Sequence, residues 1–189
     1  MIHFRKTSRP RRILDFDIEN RPLAYLGPDY TTAEVTAIAC SWVGESEVTC
    51  ALLGLQTPKN IFQYFVDLYD QADIVTGHYI LRHDLPVLNG ALAEVGMLPL
   101  KPKYVSDTKV HLPQMKYLSK SQENLAGMLG MFEAKHHMTN AEWREANRLT
   151  EIGIQLTAKR VVDDVIQHKA LREALLAAGL LGEPELWQP

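Results

Sequence analysis

Residues 13–19, Ile-Leu-Asp-Phe-Asp-Ile-Glu, alternate apolar and acidic side chains, and they constrain the fold more than any other stretch. Side chains two apart on a β-strand share a face, so Asp15, Asp17 and Glu19 line up on one side. Neighbouring carboxylates repel each other. Such a row is tolerated on a solvated edge or where a divalent cation neutralises it, and this segment alone leaves both alternatives open.

The composition indicates one globular domain. The chain has 189 residues, of which 46% are hydrophobic, and this is enough for a sizeable core. No apolar run is long enough to span a membrane, and the N-terminus lacks the apolar core of a signal peptide, so we expect a soluble, cytoplasmic protein. Cys40 and Cys50 lie in apolar segments without CxxC spacing, which favours reduced thiols over a disulfide or a zinc site.

Basic residues are concentrated at the N-terminus, although the net charge of the chain is −3. We interpret residues 1–11 as a basic arm, which either contacts phosphates or is a disordered, solubilising end. Residues 12–180 form a single predicted domain. The Gly- and Pro-containing residues 181–189 are predicted to be a C-terminal tail.

Hydrophobic periodicity predicts an initial strand and hairpin, followed by alternating helices and strands. The predicted strands cover residues 12–19, 34–43, 47–54, 72–77 and 104–108. One predicted helix begins at Pro58. The other predicted helices cover residues 84–96, about 121–130, 141–148 and 149–178. This order predicts an α/β fold with a mixed sheet, an antiparallel hairpin at its edge and flanking helices.

Two further acidic residues lie at informative positions. Asp84 begins a predicted helix, where a carboxylate can cap free N–H groups, and capping is the alternative to a metal-binding role. Asp164 lies on the side of the last helix that carries Val161 and Val165, whereas Asp163 points about 100° away by helix geometry. A carboxylate on a packed face is unfavourable unless it is paired or bound to metal, so Asp164 is the better metal-ligand candidate.

Three segments resemble the exonuclease motifs of the DEDD superfamily of 3′–5′ exonucleases: FDIE at 16–19, GHYILRHDLP at 77–86 and DV at 164–165. They look most like the exonuclease domains of B-family DNA polymerases and small stand-alone phage relatives. Asp107-Thr108 and the segment SQENLAGMLG at 121–130 resemble the linking region of that family. The resemblance spans about residues 12–178 and implies an RNase H-like mixed sheet.

The resemblance implies a function and a set of ligands. Asp17, Glu19, Asp84 and Asp164 would hold two Mg²⁺ or Mn²⁺ ions and catalyse phosphodiester hydrolysis at 3′ ends. An all-oxygen ligand set suits these hard cations. Single-stranded DNA is the favoured substrate and RNA the alternative. A polymerase or another replication protein, acting in trans, is the candidate protein partner.

The sequence departs from the family at the residue that handles the attacking water. The family has a Tyr four residues, or a His five residues, before the last Asp, and this chain has Arg160 and Lys159 there. A guanidinium cannot act as a base near neutral pH. His136 and His137 precede the last helix and are the candidate general bases, with a solvated loop as the alternative.

Substrate contacts also differ from the family pattern. Tyr79 stands where the family usually has Asn, and His83 stands where it has Phe. The Tyr79 ring can stack on a base, and Lys135 and Arg160 can contact phosphates. For Tyr79 the alternative is ordinary packing, and for the two cations it is an unspecific surface charge.

Other functional classes remain open. A catalytically degenerate relative would bind nucleic acid or a replication partner, and the missing Tyr or His favours it. Retention of all four acids argues against it, because clustered carboxylates without a counter-ion are unfavourable. An endonuclease of the wider RNase H-like group and an unrelated α/β domain with accidental acids are the remaining alternatives.

Overall fold

The computed structural model describes residues 9–23, 33–113, 115–131 and 137–189. The strands in these ranges are β1 (Ile13–Pro22), β2 (Ala33–Trp42), β3 (Thr49–Leu52), β4 (Ile74–Gly77), β5 (Lys103–Asp107) and β6 (Glu185–Trp187). They form one sheet in the order β3-β2-β1-β4-β5-β6. Strands β1, β2 and β3 pair antiparallel, whereas β1, β4 and β5 pair parallel.

Helices flank this sheet. They are α1 (Pro58–Gln71), α2 (Asp84–Glu94), α3 (Gln122–Met128), α4 (Asn140–Asn147) and α5 (Glu151–Ala177). The mixed sheet with an antiparallel hairpin edge confirms the predicted α/β class and is consistent with an RNase H-like fold. Within the described ranges, no helix has both the length and the apolar character that a membrane crossing requires.

Strand β6 lies within the segment that the sequence analysis assigns to a C-terminal tail, so that prediction is wrong for Glu185–Trp187. The strand pairs antiparallel with β5, and Trp187 lies opposite Lys103. A strand of 3 residues is too short to show a two-residue periodicity. Its position in the sheet therefore depends on pairing that the local sequence does not reveal.

The described end of the predicted basic arm contacts the connection between α1 and β4. The Arg9 side chain donates to the Asp73 carboxylate at 2.9 Å, and the Arg12 backbone N–H donates to it at 2.8 Å. The Arg12 N–H and the Arg9 guanidinium hold the pKa of Asp73 below its ordinary value. Residues 1–8 lie outside the described ranges, so the phosphate-binding alternative for the arm stays a prediction.

The two faces of β1 have different partners. On one face, Phe16 packs against Phe65 of α1, with their ring centroids 4.9 Å apart, in the main hydrophobic core. On the other face, helix α5 packs across β1 and β2. Because side chains alternate along a strand, Asp17 and Glu19 lie on the α5 side.

Helix α5 can approach the sheet closely because β2 presents small side chains to it. Ala37 and Ala39 form a buried cluster with Val161 and Val165 of α5. Burying each valine side chain stabilises the folded state by about 2 kcal/mol. This packing fixes the height of α5 above the acidic face of β1.

The start of α5 is fixed by a cap and a close helix contact. The Thr150 Oγ1 accepts the Gly153 backbone N–H at 3.0 Å, which satisfies one free donor of the first turn. Gly153 lies against the backbone of α4, and a Cβ added there would come within 2.0 Å of the Glu145 carbonyl oxygen. Only glycine allows the two helices to come this close.

We predict that Gly153→Ala lowers the free energy of unfolding by about 3 kcal/mol, because α4 and α5 must separate. The control is Gly90→Ala in α2, where an added Cβ meets nothing within 4 Å. That variant should gain about 0.5–1 kcal/mol from improved helix propensity. Urea unfolding of the two variants measures both values, and equal stabilities would contradict the close contact.

Candidate metal centre

Three carboxylates from two elements meet between β1 and α5. Asp17 and Glu19 of β1 and Asp164 of α5 each place one oxygen within 4.8 Å of the others. At this separation two unit negative charges repel by about 3–4 kcal/mol at an effective dielectric constant near 20. Carboxylate oxygens are the ligands that Mg²⁺ and Mn²⁺ prefer, so this cluster could hold a divalent ion.

The helical spacing of α5 separates the two adjacent acids. The Asp164 side chain is 6% exposed and faces β1, whereas the Asp163 side chain is 37% exposed and pairs with Lys159 at 2.5 Å. This agrees with the sequence analysis, which places Asp163 away from the core. Asp163 is therefore a natural control for substitutions in the cluster.

Asp84 lies at the first turn of α2 and is buried. Its carboxylate accepts the Ile18 backbone N–H at 3.3 Å and lies 3.3 Å from the His83 Nδ1. Burial raises the pKa of Asp84, while the hydrogen bond with this carboxylate raises the pKa of His83. The carboxylate thus ties α2 to β1, and it is not one of the three that meet within 4.8 Å.

A cleft of about 390 Å³ joins Asp84 to the three-carboxylate cluster. Its walls come from β1, from the segment after β4, from α3 and from α5. The lining side chains include Asp17, Glu19, His78, Tyr79, His83, Asp84, Gln122, His137, Arg160 and Asp164. The structure therefore brings the four predicted acidic ligands to one opening.

The guanidinium of Arg160 lies against the acidic cluster. Its Nε lies 2.5 Å from Glu19 Oε1, and one terminal nitrogen lies 3.6 Å from Asp164 Oδ2. The guanidinium carbon is 5.2 Å from the centroid of the Trp143 ring of α4. Arg160 is one helical turn before Asp164, so both side chains reach the same face of β1. The residue predicted as a substrate contact is thus paired with two candidate metal ligands.

Of the other predicted site residues, His137 lies at the cleft and is exposed. Its Nε2 lies 3.3 Å from a Glu123 carboxylate oxygen of α3. His136 and Lys135 lie outside the described residues, so their predicted roles stay predictions. His137 is the candidate general base whose position is described.

Tyr79 lies at the rim of the cleft in a strained backbone conformation. Its φ is +71°, a value that a bulky residue rarely adopts. The buried Asp107 carboxylate holds the turn by accepting the backbone N–H groups of Tyr79 and Leu81, both at 3.0 Å. The Lys109 ammonium lies 3.9 Å from the centroid of the Tyr79 ring, and Tyr79 as a residue is 40% exposed. An aromatic face with an adjacent cation is thus available at the opening.

A row of hydrogen-bonded polar side chains leads inward from the cleft, and the sequence did not predict it. His168 Nδ1 lies 2.7 Å from Asp15 Oδ2, and its Nε2 lies 3.0 Å from Thr108 Oγ1. The same hydroxyl lies 3.0 Å from His78 Nδ1. Burial raises the pKa of Asp15, against the opposing effect of His168. The sequence contained a signal for this pair. His168 lies one helical turn after Asp164, and Asp15 lies two residues before Asp17, so the two residues lie on the facing sides of α5 and β1.

Comparison with known proteins identifies the fold of the chain. No protein-family model and no curated protein sequence matches it. Among solved structures, it is similar to a family B DNA polymerase from the hyperthermophilic archaeon Pyrobaculum calidifontis, with a TM-score of 0.66. The sequences are 19% identical, and the match covers 88% of this chain and 25% of the polymerase chain. At this level of identity the similarity shows a shared fold.

The half-buried histidine at the cleft, His78, predicts a specific acid sensitivity. Burial lowers the pKa of His78 to about 4, and the charged or titratable groups that act on it are His168, Asp107 and Lys109. In the unfolded chain the His78 imidazole takes up a proton near pH 6.5, whereas in the folded protein it does so only near pH 4. The contribution of neutral His78 to the free energy of unfolding is therefore fully present above pH 6.5 and is lost as the pH falls toward 4. We expect the protonation of His78 to lower the free energy of unfolding by up to about 3 kcal/mol.

His78→Asn tests this expectation, because Asn preserves a polar atom near Thr108 but does not titrate. The free energy of unfolding should fall less steeply between about pH 7 and pH 4.5 in the variant than in the wild type. Parallel pH profiles would contradict a depressed pKa for His78.

Proposed function

We propose that this protein is a metal-dependent 3′–5′ exonuclease that hydrolyses the terminal phosphodiester of single-stranded DNA. The observation that carries the proposal is the meeting of Asp17, Glu19 and Asp164 within 4.8 Å beside a cleft that also contains Asp84. The three segments that resemble the motifs of the DEDD superfamily contain these four acids. The shared fold with a family B DNA polymerase supports a role in nucleic-acid processing.

The acids divide into two groups that suit two ions. Asp17, Glu19 and Asp164 would hold one ion, and Asp84, on the α2 side of the cleft, would help to hold the second. The donor set consists of hard oxygens, and the guanidinium of Arg160 already acts as a cation at the cluster. When bound, two such ions activate the attacking water and stabilise the leaving 3′ oxygen.

Protein side chains would position the substrate and move its protons. The exposed ring of Tyr79 stacks on the terminal base, and Lys109, above that ring, contacts the adjacent phosphate. In this proposal His137, which lines the cleft, takes the proton of the attacking water, because an imidazole nitrogen can accept a proton. Lys135 and His136 are additional candidates for phosphate contact and proton transfer. A polymerase acting in trans is the proposed protein partner.

A second candidate function is a catalytically degenerate nucleic-acid-binding module. The contact of Arg160 with Glu19 and Asp164 favours it, because a permanently bound guanidinium would replace the metal ion. The two candidates differ in one measurable property. The enzyme shortens an oligonucleotide in the presence of metal, whereas the module binds the oligonucleotide and leaves it intact.

We predict that the wild type shortens a 5′-labelled single-stranded oligonucleotide from its 3′ end with Mn²⁺ or Mg²⁺, and that EDTA stops the reaction. Asp17→Asn should lower the rate by at least about 1000-fold, because the variant loses a charged ligand of the metal site. Product lengths on a denaturing gel provide the measurement.

Asp163→Asn is the matched control. It also replaces an aspartate by asparagine, but the Asp163 side chain pairs with Lys159 and does not belong to the cluster. Its rate should lie within a few-fold of the wild type. Undiminished hydrolysis by Asp17→Asn would overturn the metal-site assignment. Binding of an intact oligonucleotide by the wild type would favour the degenerate module.

Tyr79→Ala should weaken binding of a short single-stranded oligonucleotide by about 1–3 kcal/mol, because a stacking surface is removed. Tyr104→Ala is the control, since Tyr104 lies on β5 with 53% of its surface exposed and does not line the cleft. Fluorescence anisotropy in the absence of metal measures both affinities without hydrolysis. An equal loss in the two variants would contradict a stacking role for Tyr79.

A further inference from the structure

Arg160 makes its contacts with the carboxylates that the proposed metal site requires. The guanidinium reaches Glu19 through Nε at 2.5 Å and Asp164 through a terminal nitrogen at 3.6 Å. A divalent ion bound by Glu19 and Asp164 would lie a few ångströms from this guanidinium. Two cations at that separation repel, so close binding of one opposes close binding of the other.

The Arg160 guanidinium also has a neighbour that is not a carboxylate. The Trp143 ring lies 5.2 Å from the guanidinium carbon, and an aromatic face stabilises a cation placed over it. Arg160 also lines the cleft beside Gln122 and Tyr79. These surroundings do not depend on Glu19 or Asp164, so they favour a guanidinium that stays at the opening of the cleft when another cation occupies the carboxylates.

We propose that Arg160 is an internal counter-ion that competes with the divalent metal for Glu19 and Asp164, and that metal binding releases it to contact a substrate phosphate. This inference rests on the proposed function, which supplies the metal and the nucleic-acid end. The guanidinium offsets part of the negative charge of Glu19 and Asp164 in the metal-free protein. It becomes a phosphate ligand in the metal-bound protein, so metal and nucleotide bind with positive coupling.

Isothermal titration of Mn²⁺ into the metal-free protein tests the competition directly. Arg160→Met removes the cation but retains a long apolar side chain, and it should bind Mn²⁺ about tenfold more tightly than the wild type. Lys159→Met is the matched control: it removes the same charge at the preceding residue, whose partner is the outward-facing Asp163. The affinity of this control should equal that of the wild type.

Thermal unfolding separates this role from a purely structural one. In EDTA, Arg160→Met should melt below the wild type, because Glu19 and Asp164 lose their ion pairs with the guanidinium. Saturating Mn²⁺ should raise the melting temperature of the variant more than that of the wild type. Arg160→Lys retains a charge without the planar fork, so it should fall between the two. A destabilisation of Arg160→Met that is equal in EDTA and in Mn²⁺ would overturn the proposal.

The coupling to substrate is tested with thymidine monophosphate as the probe. Saturating Mn²⁺ should increase the affinity of the wild type for this nucleotide by more than it increases that of Arg160→Met, because only the wild type gains a phosphate ligand. Equal gains in both proteins would overturn the phosphate role.

The outcomes distinguish the inference from the proposed function. If the wild type binds Mn²⁺ and degrades DNA but Arg160→Met binds the metal no more tightly, the competition is wrong and the exonuclease stands. If Arg160→Met binds Mn²⁺ more tightly but neither protein degrades DNA, the competition stands and the exonuclease proposal fails.

Discussion

Carboxylates that share a confined space need positive charge among them, and the contact between β1 and α5 depends on how that need is met. Packing of Val161 and Val165 against the alanines of β2 fixes α5 above the sheet. The same packing brings Asp164 to within 4.8 Å of Asp17 and Glu19, so hydrophobic burial sets the spacing of the charges. A guanidinium or a metal ion can offset the resulting repulsion, and Arg160 supplies the first of these.

Two buried acids outside the cluster hold the surrounding elements in place. Asp107 accepts backbone N–H groups of the turn after β4 and thereby maintains Tyr79 at a positive φ. Asp15 pairs with His168 and links the start of β1 to the middle of α5. The first acid fixes the turn that carries Tyr79, and the second joins α5 to β1 one helical turn after Asp164. The side chains that line the cleft are therefore held in position by buried, hydrogen-bonded acids.

The sequence predicted those features that depend on local periodicity. Alternation along β1 placed Asp17 and Glu19 on one face, and helical spacing separated Asp164 from Asp163. Features that depend on contacts distant in the sequence were missed. The Asp15–His168 pair joins residues 153 apart, and β6 is defined only by its pairing with β5. The inward position of Arg160 was also missed, because a charge pattern does not show which way a flexible side chain turns.

A crystal of the protein soaked in Mn²⁺ shows which cation occupies the three carboxylates, since anomalous scattering locates the ions without a label. We predict a peak bounded by Asp17, Glu19 and Asp164, a second peak beside Asp84, and an Arg160 guanidinium withdrawn from Glu19. Density for Arg160 still bridging Glu19 and Asp164, with no anomalous peak at the cluster, would contradict this prediction.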